Sequence, residues 1–471
     1  MYRTLQYESA LASRAVGIDL FGSNDPRAPA WRSGVGTELF VAPPVLPAFV
    51  AVANRAAGEE TPWVSRLFTT AFWLLAAFAI RRIIDRSTGS EWGGVAGFAW
   101  FALCPFGQIL SLSFQTESLL ALAFAIAVGR LGLFGTRLTW RGTVRSGVTC
   151  GALAFVKPGM LVFPLVLAFA TTILPRSVPA TRTRKLLHLI LFGMLVAAPG
   201  VLYAAAFLRS HSGRIMPQLL LEPWFYSGLA FQLREAIGLP VLAAGAAGLV
   251  IAARAGRVWL PALVAGHAFT LAVFTYHAAT HDYYQLPLMV VTAIALGETV
   301  AFVERRMGRS PAAVLALVAA TSLVWRPEPF IGPWRWLPEN REQLESVRME
   351  RERRAARSEA AGRIAGPSDR TIELTEVYGY PLRYHGWVQT ARWPSIEERG
   401  YMRLAGTIPE QFDAAAYLQQ LIRDTDARWF IVTDLAEWKR QPDLQSALSR
   451  FGTPDASVEG ALIFDLSRGP R

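Results

Sequence analysis

The sequence predicts a mainly α protein: a polytopic transmembrane helix bundle of about ten spans with a small C-terminal α/β soluble domain. Three observations predict it. Hydrophobic residues make up 52% of the 471-residue chain and gather, between Trp63 and Trp325, in runs long enough to cross a bilayer. The charged fraction, 18%, falls below the roughly 25% of a typical soluble domain. After Arg326 the composition becomes that of an ordinary water-soluble domain.

A formal charge of +11 does not point to nucleic acid, because the arginines sit in short loops at helix ends, where membrane orientation accounts for them. The two cysteines, Cys104 and Cys150, lie inside apolar stretches and supply neither a disulfide framework nor a metal motif. Met1 to Arg32 is polar and mixed, without the apolar core of a cleavable signal peptide.

A spanning helix takes about 20 apolar residues, with shorter ones tolerated in bundles. The candidate spans lie near 64–82, 93–112, 117–131, 143–156, 159–175, 185–207, 238–254, 258–275, 285–303 and 311–326. Lys157-Pro158 separates two short ones as a turn. Basic residues orient them. Arg81, Arg82 and Arg86 share one loop; Arg130, Arg137, Arg141 and Arg145 share the next of the same sign; later loops hold Arg176 to Lys185, Arg254 with Arg257, and Arg305 to Arg309. The loops between them, around Gln115, Lys157 and Tyr276–Tyr284, carry a single lysine. Strict alternation follows if the basic loops are cytoplasmic and the proline-bearing stretch 39–54 lies in the outer interface instead of crossing.

Three regions result: 1–62 as a first extracytoplasmic loop with an interfacial helix, 63–326 as the bundle, and 327–471 as an extracytoplasmic soluble domain. The tail opens with a charged, solvated helix over Asn340–Ile364. It then alternates strand-like Thr371–Val377, a helix near 411–424, strand-like Trp429–Thr433, a helix near 437–450 and strand-like Ala461–Leu466. No glycine-rich phosphate loop stands at a strand–helix junction. A role for this domain in binding an acceptor or covering a site rests on its position alone.

Ionisable residues at the outer ends of membrane helices are costly unless they serve a site. Four outer segments hold nearly all of them: the N-terminal stretch with Arg3, Gln6, Glu8, Asp19, Asp25 and Glu38; Phe114-Gln-Thr-Glu117-Ser118; the loop 208–237 with His211, Arg214, Glu222 and Arg234; and Tyr276-His277 through His281-Asp282-Tyr283-Tyr284-Gln285. Polar and aromatic residues of this density on one face describe a pocket for a polar substrate with a lipid anchor.

At these residues the chain resembles the integral-membrane glycosyltransferases of family 39 and their relatives in the GT-C superfamily, among them protein O-mannosyltransferases, aminoarabinose transferases and Rgt-type enzymes. The resemblance covers nearly the whole chain. It is carried by Arg3-x-x-Gln6-x-Glu8-x-Ala10, Gly36-Thr37-Glu38-Leu39, Trp63-x-x-Arg66-Leu67, Phe114-x-x-Glu117-Ser118-Leu119, Lys157-Pro158 and His281-Asp-Tyr-Tyr-Gln-Leu-Pro287, the last being the most specific. Family members begin with an outward-crossing helix that has no counterpart in this sequence.

The resemblance implies transfer of a sugar from a polyprenyl-phosphate carrier, usually with inversion, to a lipid, glycan or protein acceptor on the outer face of a membrane. The short loops and carrier chemistry suit a bacterial inner membrane. An acceptor hydroxyl needs a carboxylate base, and the departing lipid phosphate needs positive charge or donors. Glu8 stands where the family carries a first-loop aspartate and is the candidate base; a solvated Glu on an N-terminal helix is the plainer reading. Glu38 either orients the acceptor, holds a divalent cation, or is a helix N-terminal charge favoured by the dipole.

Glu117 replaces an aspartate common in relatives and either contacts the sugar or caps the helix beginning at Ser118. Lys157 and Arg66 are phosphate-binding candidates, against simple snorkelling. Arg3, His281, Asp282, Tyr283 and Tyr284 complete the implied donor contacts, while an interfacial aromatic belt would explain the tyrosines alone. His188 and His267 read as packing residues. A transporter or flippase would show inverted repeats and mid-membrane charges, and the sequence shows neither. A catalytically inactive relative is the third reading, on Glu for Asp at positions 8 and 117.

Overall fold

The computed structural model describes residues 2–35, 43–132, 138–173, 181–207, 216–321, 341–454, 458 and 460–469. Two compact units emerge. One gathers Met1–Leu39, Pro47–Glu60 and Pro338–Arg471; the other gathers Phe40–Leu46 and Thr61–Leu337. In chain order the first helices are α1 (Tyr2–Phe21), α2 (Ala28–Gly34) and α3 (Val45–Ala57). The bundle follows with α4 (Pro62–Thr88), α5 (Glu91–Leu103), α6 (Pro105–Ser111), α7 (Glu117–Leu131), α8 (Trp140–Val156), α9 (Val162–Ile173), α10 (Arg182–Phe207), α11 (Pro223–Ala236), α12 (Leu239–Arg254), α13 (Trp259–Val273), α14 (Thr275–Thr280), α15 (Leu286–Met307) and α16 (Arg309–Thr321).

Every one of the ten apolar segments is therefore helical where it is described. Among the described residues, three helices are long and apolar enough to cross a membrane by themselves: Pro62–Thr88, Arg182–Tyr203 and Asp282–Met307. Two bent pairs raise the number to five. The reason is in the punctuation. Pro105 ends α5 and turns the chain by 61°, and the break before Pro240 turns α11 into α12 by 93°. Gly238 sits in that break with φ +89°, a conformation that suits a residue without Cβ. At about 1.5 Å per residue, the 15-residue α7 falls short of a hydrocarbon core of about 30 Å.

The bundle is organised around α15. Its apolar window is 78% buried, against 33% for α4 and 28% for α10. Small residues let its neighbours close in. A Cβ on Gly97 of α5 would stand 2.8 Å from the Ala293 carbonyl oxygen, and one on Gly248 of α12 would strike the Ala295 carbonyl. Close backbone approach of this kind is how helices gain packing energy where lipid offers no hydrophobic drive. Trp73 of α4 stacks on Phe101 at 4.2 Å and donates its indole N–H to the Phe101 carbonyl at 3.0 Å.

The other unit carries a four-stranded sheet. Its elements are α17 (Arg341–Ala365), β1 (Arg370–Leu374), α18 (Tyr380–His385), β2 (Gln389–Arg392), α19 (Ile396–Leu404), α20 (Ala414–Thr425), β3 (Trp429–Val432), α21 (Leu435–Lys439), α22 (Pro442–Ser449) and β4 (Leu462–Asp465). The order is β2-β1-β3-β4, with β1 parallel to both β2 and β3, and β4 antiparallel to β3. Side-chain alternation divides the core. Ile372, Leu374, Phe430 and Val432 pack with Leu418 and Leu448 on one face, while Ile431 and Ile463 pack with Ala361, Ala365 and Leu382 on the other. The expected solvated helix is only half so: beyond Arg354, α17 buries Ser358, Ala361, Gly362 and Ala365. The expected helix near 437–450 is two, divided at Gln441-Pro442, where proline opens α22.

Within this unit α1 is tied to the C-terminal elements. Arg14 donates Nε and Nη2 to the two oxygens of Glu60 at 3.0 and 2.9 Å and Nη1 to the Tyr384 carbonyl at 2.6 Å. The Tyr7 hydroxyl lies 3.2 Å from His385 Nε2. The N-terminal helix and the tail fold as one body because each supplies the polar partners the other lacks.

Candidate functional site

Three breaks in the bundle bring the predicted residues together. The first is Lys157-Pro158. Proline disfavours a helical conformation at the residue before it, and Lys157 is extended at φ −149°, ψ 101°, capping α8. The second is the start of α7, where Glu117 occupies the first turn and meets the positive end of the helix dipole. The third is the chain between α13 and α15, where α14 leads through an extended His281 into a 3-10 turn, Asp282–Gln285.

Lys157 Nζ approaches Glu117 Oε1 at 3.4 Å and lies 4.9 and 5.3 Å from the ring centres of Tyr283 and Tyr284. Cation–π attraction at that range holds an ammonium without consuming its N–H donors. The ion pair is longer than the 2.7–2.9 Å of a tight charge-assisted bond. Glu117 is 3% exposed, yet its Oε2 has no hydrogen-bond partner among the described residues. The same holds for both polar atoms of Gln115, 1% exposed and two residues earlier. Buried polar atoms are nearly always paired, so these three atoms are open to a partner beyond the described residues.

Aromatic rings enclose the lysine. His277 stacks on Tyr284 at 5.7 Å and 16°, and His281 packs edge-on against both Tyr283 and His277 at 5.3 Å. Burial pushes the His281 imidazole down to about 4, with His277 and Lys157 adding to the effect, and burial lowers His277 too. Both rings are thus neutral at pH 7.

The hydroxyl of Thr280 donates to the Tyr276 carbonyl at 2.7 Å and lies 2.7 Å from His281 Nδ1. A hydroxyl has one proton to give, so it accepts from Nδ1–H. The Nε2 of His281 is then a lone-pair acceptor. It suits a hydroxyl better than a phosphate oxygen, which alters the donor-phosphate role that the resemblance implied for this residue.

His267 was expected only to pack. It is buried in α13 with Nε2 3.1 Å from Gln285 Oε1, and Gln285 Nε2 donates to the Ala278 carbonyl at 3.2 Å. It therefore braces the 3-10 turn that carries Tyr283 and Tyr284. His188 does pack, stacked on Trp140 at 4.2 Å with Nδ1 2.6 Å from the Thr143 hydroxyl. Asp282 is buried at 4% exposure.

Other predicted residues stand elsewhere. Arg66 is exposed in α4, and no hydrogen bond, ion pair or ring contact joins its side chain to Lys157 among the described residues. Glu8 lies half-buried on α1 in the other unit, where burial and then its carboxylate raise the phenol of Tyr380. Arg3 lies in the first turn of α1. Glu38, with His211 and Arg214, falls outside the described residues. Among the described residues no three His, Cys, Asp or Glu side chains gather as a metal site. Sequence reasoning passed over Gln115 and Gln285, and set His277 among outer-loop residues without a role; the only signal for the glutamines was their place inside the quoted motifs.

No family model matches the chain, and no curated protein matches it. Solved structures do. ArnT from Cupriavidus metallidurans in the apo state is similar at 13% identity and TM-score 0.52, over 100% of this chain and 97% of that one. ArnT from the same organism bound to undecaprenyl phosphate is similar at 13% identity and TM-score 0.55, over 98% and 95%. The chain shares the fold of these structures, a bundle of apolar helices with a small α/β domain.

Proposed function

We propose that the chain is a membrane glycosyltransferase that takes a sugar from a polyprenyl-phosphate donor and passes it to an acceptor on the extracytoplasmic face, in a bacterial inner membrane. The observation that carries the reading is the loosely paired Lys157, held by two tyrosine rings beside the unsatisfied Glu117 and Gln115, within a fold shared with a protein solved with undecaprenyl phosphate. Resemblance of its motifs to those of family 39 and of the Rgt-type enzymes supports the reading.

In this scheme the acceptor oxygen attacks the anomeric carbon as the bond to the lipid phosphate breaks, giving inversion. Lys157 stabilises the charge that develops on the leaving phosphate. Glu117 Oε2 and Gln115 take sugar hydroxyls, and His281 Nε2 accepts from one more. Arg66, Arg3 and Asp282 are proposed as outlying donor contacts. Glu8 is proposed to receive the acceptor proton, with Glu38 orienting the acceptor or holding a divalent cation.

The test is transfer in proteoliposomes supplied with polyprenyl-phosphate sugars, comparing Glu8→Gln with the parent. Loss of a general base lowers the rate by about 10²–10⁴. Equal transfer by both would remove Glu8 from the chemistry, and no transfer by the parent with any donor would favour an inactive relative.

A further inference from the structure

The unit formed by α1–α3 and the C-terminal domain holds two cavities, of about 480 and 610 Å³, that share a wall of Arg14, Arg27 and Trp387. Trp387 is the unusual member. Its φ is +56°, a left-handed conformation that a bulky residue adopts only where its surroundings impose it. The preceding Gly386 packs closely against its neighbours: a Cβ there would lie 2.6 Å from the carbonyl oxygens of both Leu382 and Ser358. The backbone is pinned between α17 and α18, and the indole is thereby presented at the wall. Trp31 meets it edge-on at 5.5 Å, and the guanidinium carbons of Arg14 and Arg27 lie 4.2 and 4.8 Å from its ring centre.

The charges around this ring are arranged in pairs. Arg14 gives three donors to Glu60 and the Tyr384 carbonyl, and Arg27 gives two to Asp25 at 2.7 and 3.0 Å. The first cavity also carries Glu359 and Arg363, one turn apart on α17 and both exposed; the second also carries Arg55, Glu59, Asn24 and Asn54. The walls offer planar donors and acceptors of both signs around an indole face, which matches a molecule with hydroxyls that both give and accept and with C–H faces that pack on a ring.

We propose that the cavity beside Trp387 and α17 is a binding site for a short neutral saccharide, with Trp387 as its platform and Glu359 and Arg363 as its polar contacts. The site stands on this unit alone and does not depend on glycosyl transfer. Cavities of this size hold a ligand of a few sugar rings.

Saturation-transfer NMR on the full chain in nanodiscs tests it, with a panel of short neutral gluco-, manno-, galacto- and N-acetylated oligosaccharides as probes and uronates and sugar phosphates as charged comparisons. Transfer to the ring C–H protons of at least one panel member is expected. Trp387→Gly weakens it by about tenfold or more, as removal of an aromatic anchor does, and glycine suits the left-handed backbone. Arg363→Ala, on the exposed face of α17, weakens it without touching the core. Lys157→Ala leaves it unchanged, which separates this site from the proposed transferase chemistry. The proposal is overturned if no panel member receives saturation, if both unit variants match the parent, or if only uronates or sugar phosphates bind.

Discussion

Two buried ion pairs in the same bundle look alike by burial and differ in everything else. Arg257–Glu298 and Lys157–Glu117 have side-chain exposures of 20% and 0%, and of 23% and 4%. In the first, Arg257 meets one Glu298 oxygen at 2.6 Å, the Ser87 hydroxyl meets the other at 3.3 Å, and Arg257 also bonds the Ser87 carbonyl at 3.2 Å. Both carboxylate oxygens are used, across α4, α15 and the turn between α12 and α13. In the second, the pair opens to 3.4 Å, one carboxylate oxygen has no partner among the described residues, and the cation leans on aromatic rings. A desolvated charge is tolerated when its partners are complete. The first pair uses both carboxylate oxygens, with Arg257 Nε left without a hydrogen-bond partner among the described residues, and acts as a brace; the second leaves a carboxylate oxygen open to a further partner.

The largest effect should come from breaking the brace. Glu298→Ala leaves Arg257 buried without its counter-charge, a loss of about 3–5 kcal/mol in stability, read as a lowered unfolding temperature in detergent. If the variant melts with the parent, the two pairs do not differ in kind.

A pH scan should come next. His281 has its folded pKa near 4, below the ordinary 6.5, because of burial. The unfolded chain therefore binds more protons between those values. Stability is full above about 6.5 and falls as the pH drops towards about 4, with the lowered His277 and His385 acting in the same direction. His281→Gln should flatten part of that slope in a melting-temperature profile; an unaltered slope would place the titration elsewhere.

The smallest effect belongs to the rings. Tyr283→Leu removes one cation–π contact worth about 0.5–2 kcal/mol and should weaken polyprenyl-phosphate binding while the unfolding temperature stays near the parent's. A variant that melts early without a change in binding would make the tyrosine part of a brace.

Much of the cluster was legible because loop charge is a long-range signal: alternating arginines put Glu117, Lys157 and His281 in loops of the same kind, and the structure joins Lys157 with both Glu117 and the tyrosines beside His281. The tie from His267 to Gln285 was not legible. It depends on which face α13 turns to the 3-10 segment, and an apolar helix with a hydrophobic residue at nearly every position carries no periodicity to reveal that. In the tail, β3 and β4 announced themselves as apolar runs, whereas β2, Gln-Thr-Ala-Arg, is half-buried at all four positions and has no alternation to read. The left-handed Trp387 was invisible for another reason. A bulky residue is rarely left-handed, so the residue type at that position gives no sign of it.

The most direct test of the difference between the two pairs is native mass spectrometry of polyprenyl phosphate retained by the full chain, parent against Lys157→Met. Methionine keeps the length and apolar packing of the lysine and removes only its charge. The account predicts that retained lipid falls by about tenfold or more, as loss of a charge-assisted contact to phosphate would produce, with the unfolding temperature of the empty protein held. Retention equal to the parent's, together with a collapse of that temperature, would show Lys157 to be a brace like Arg257.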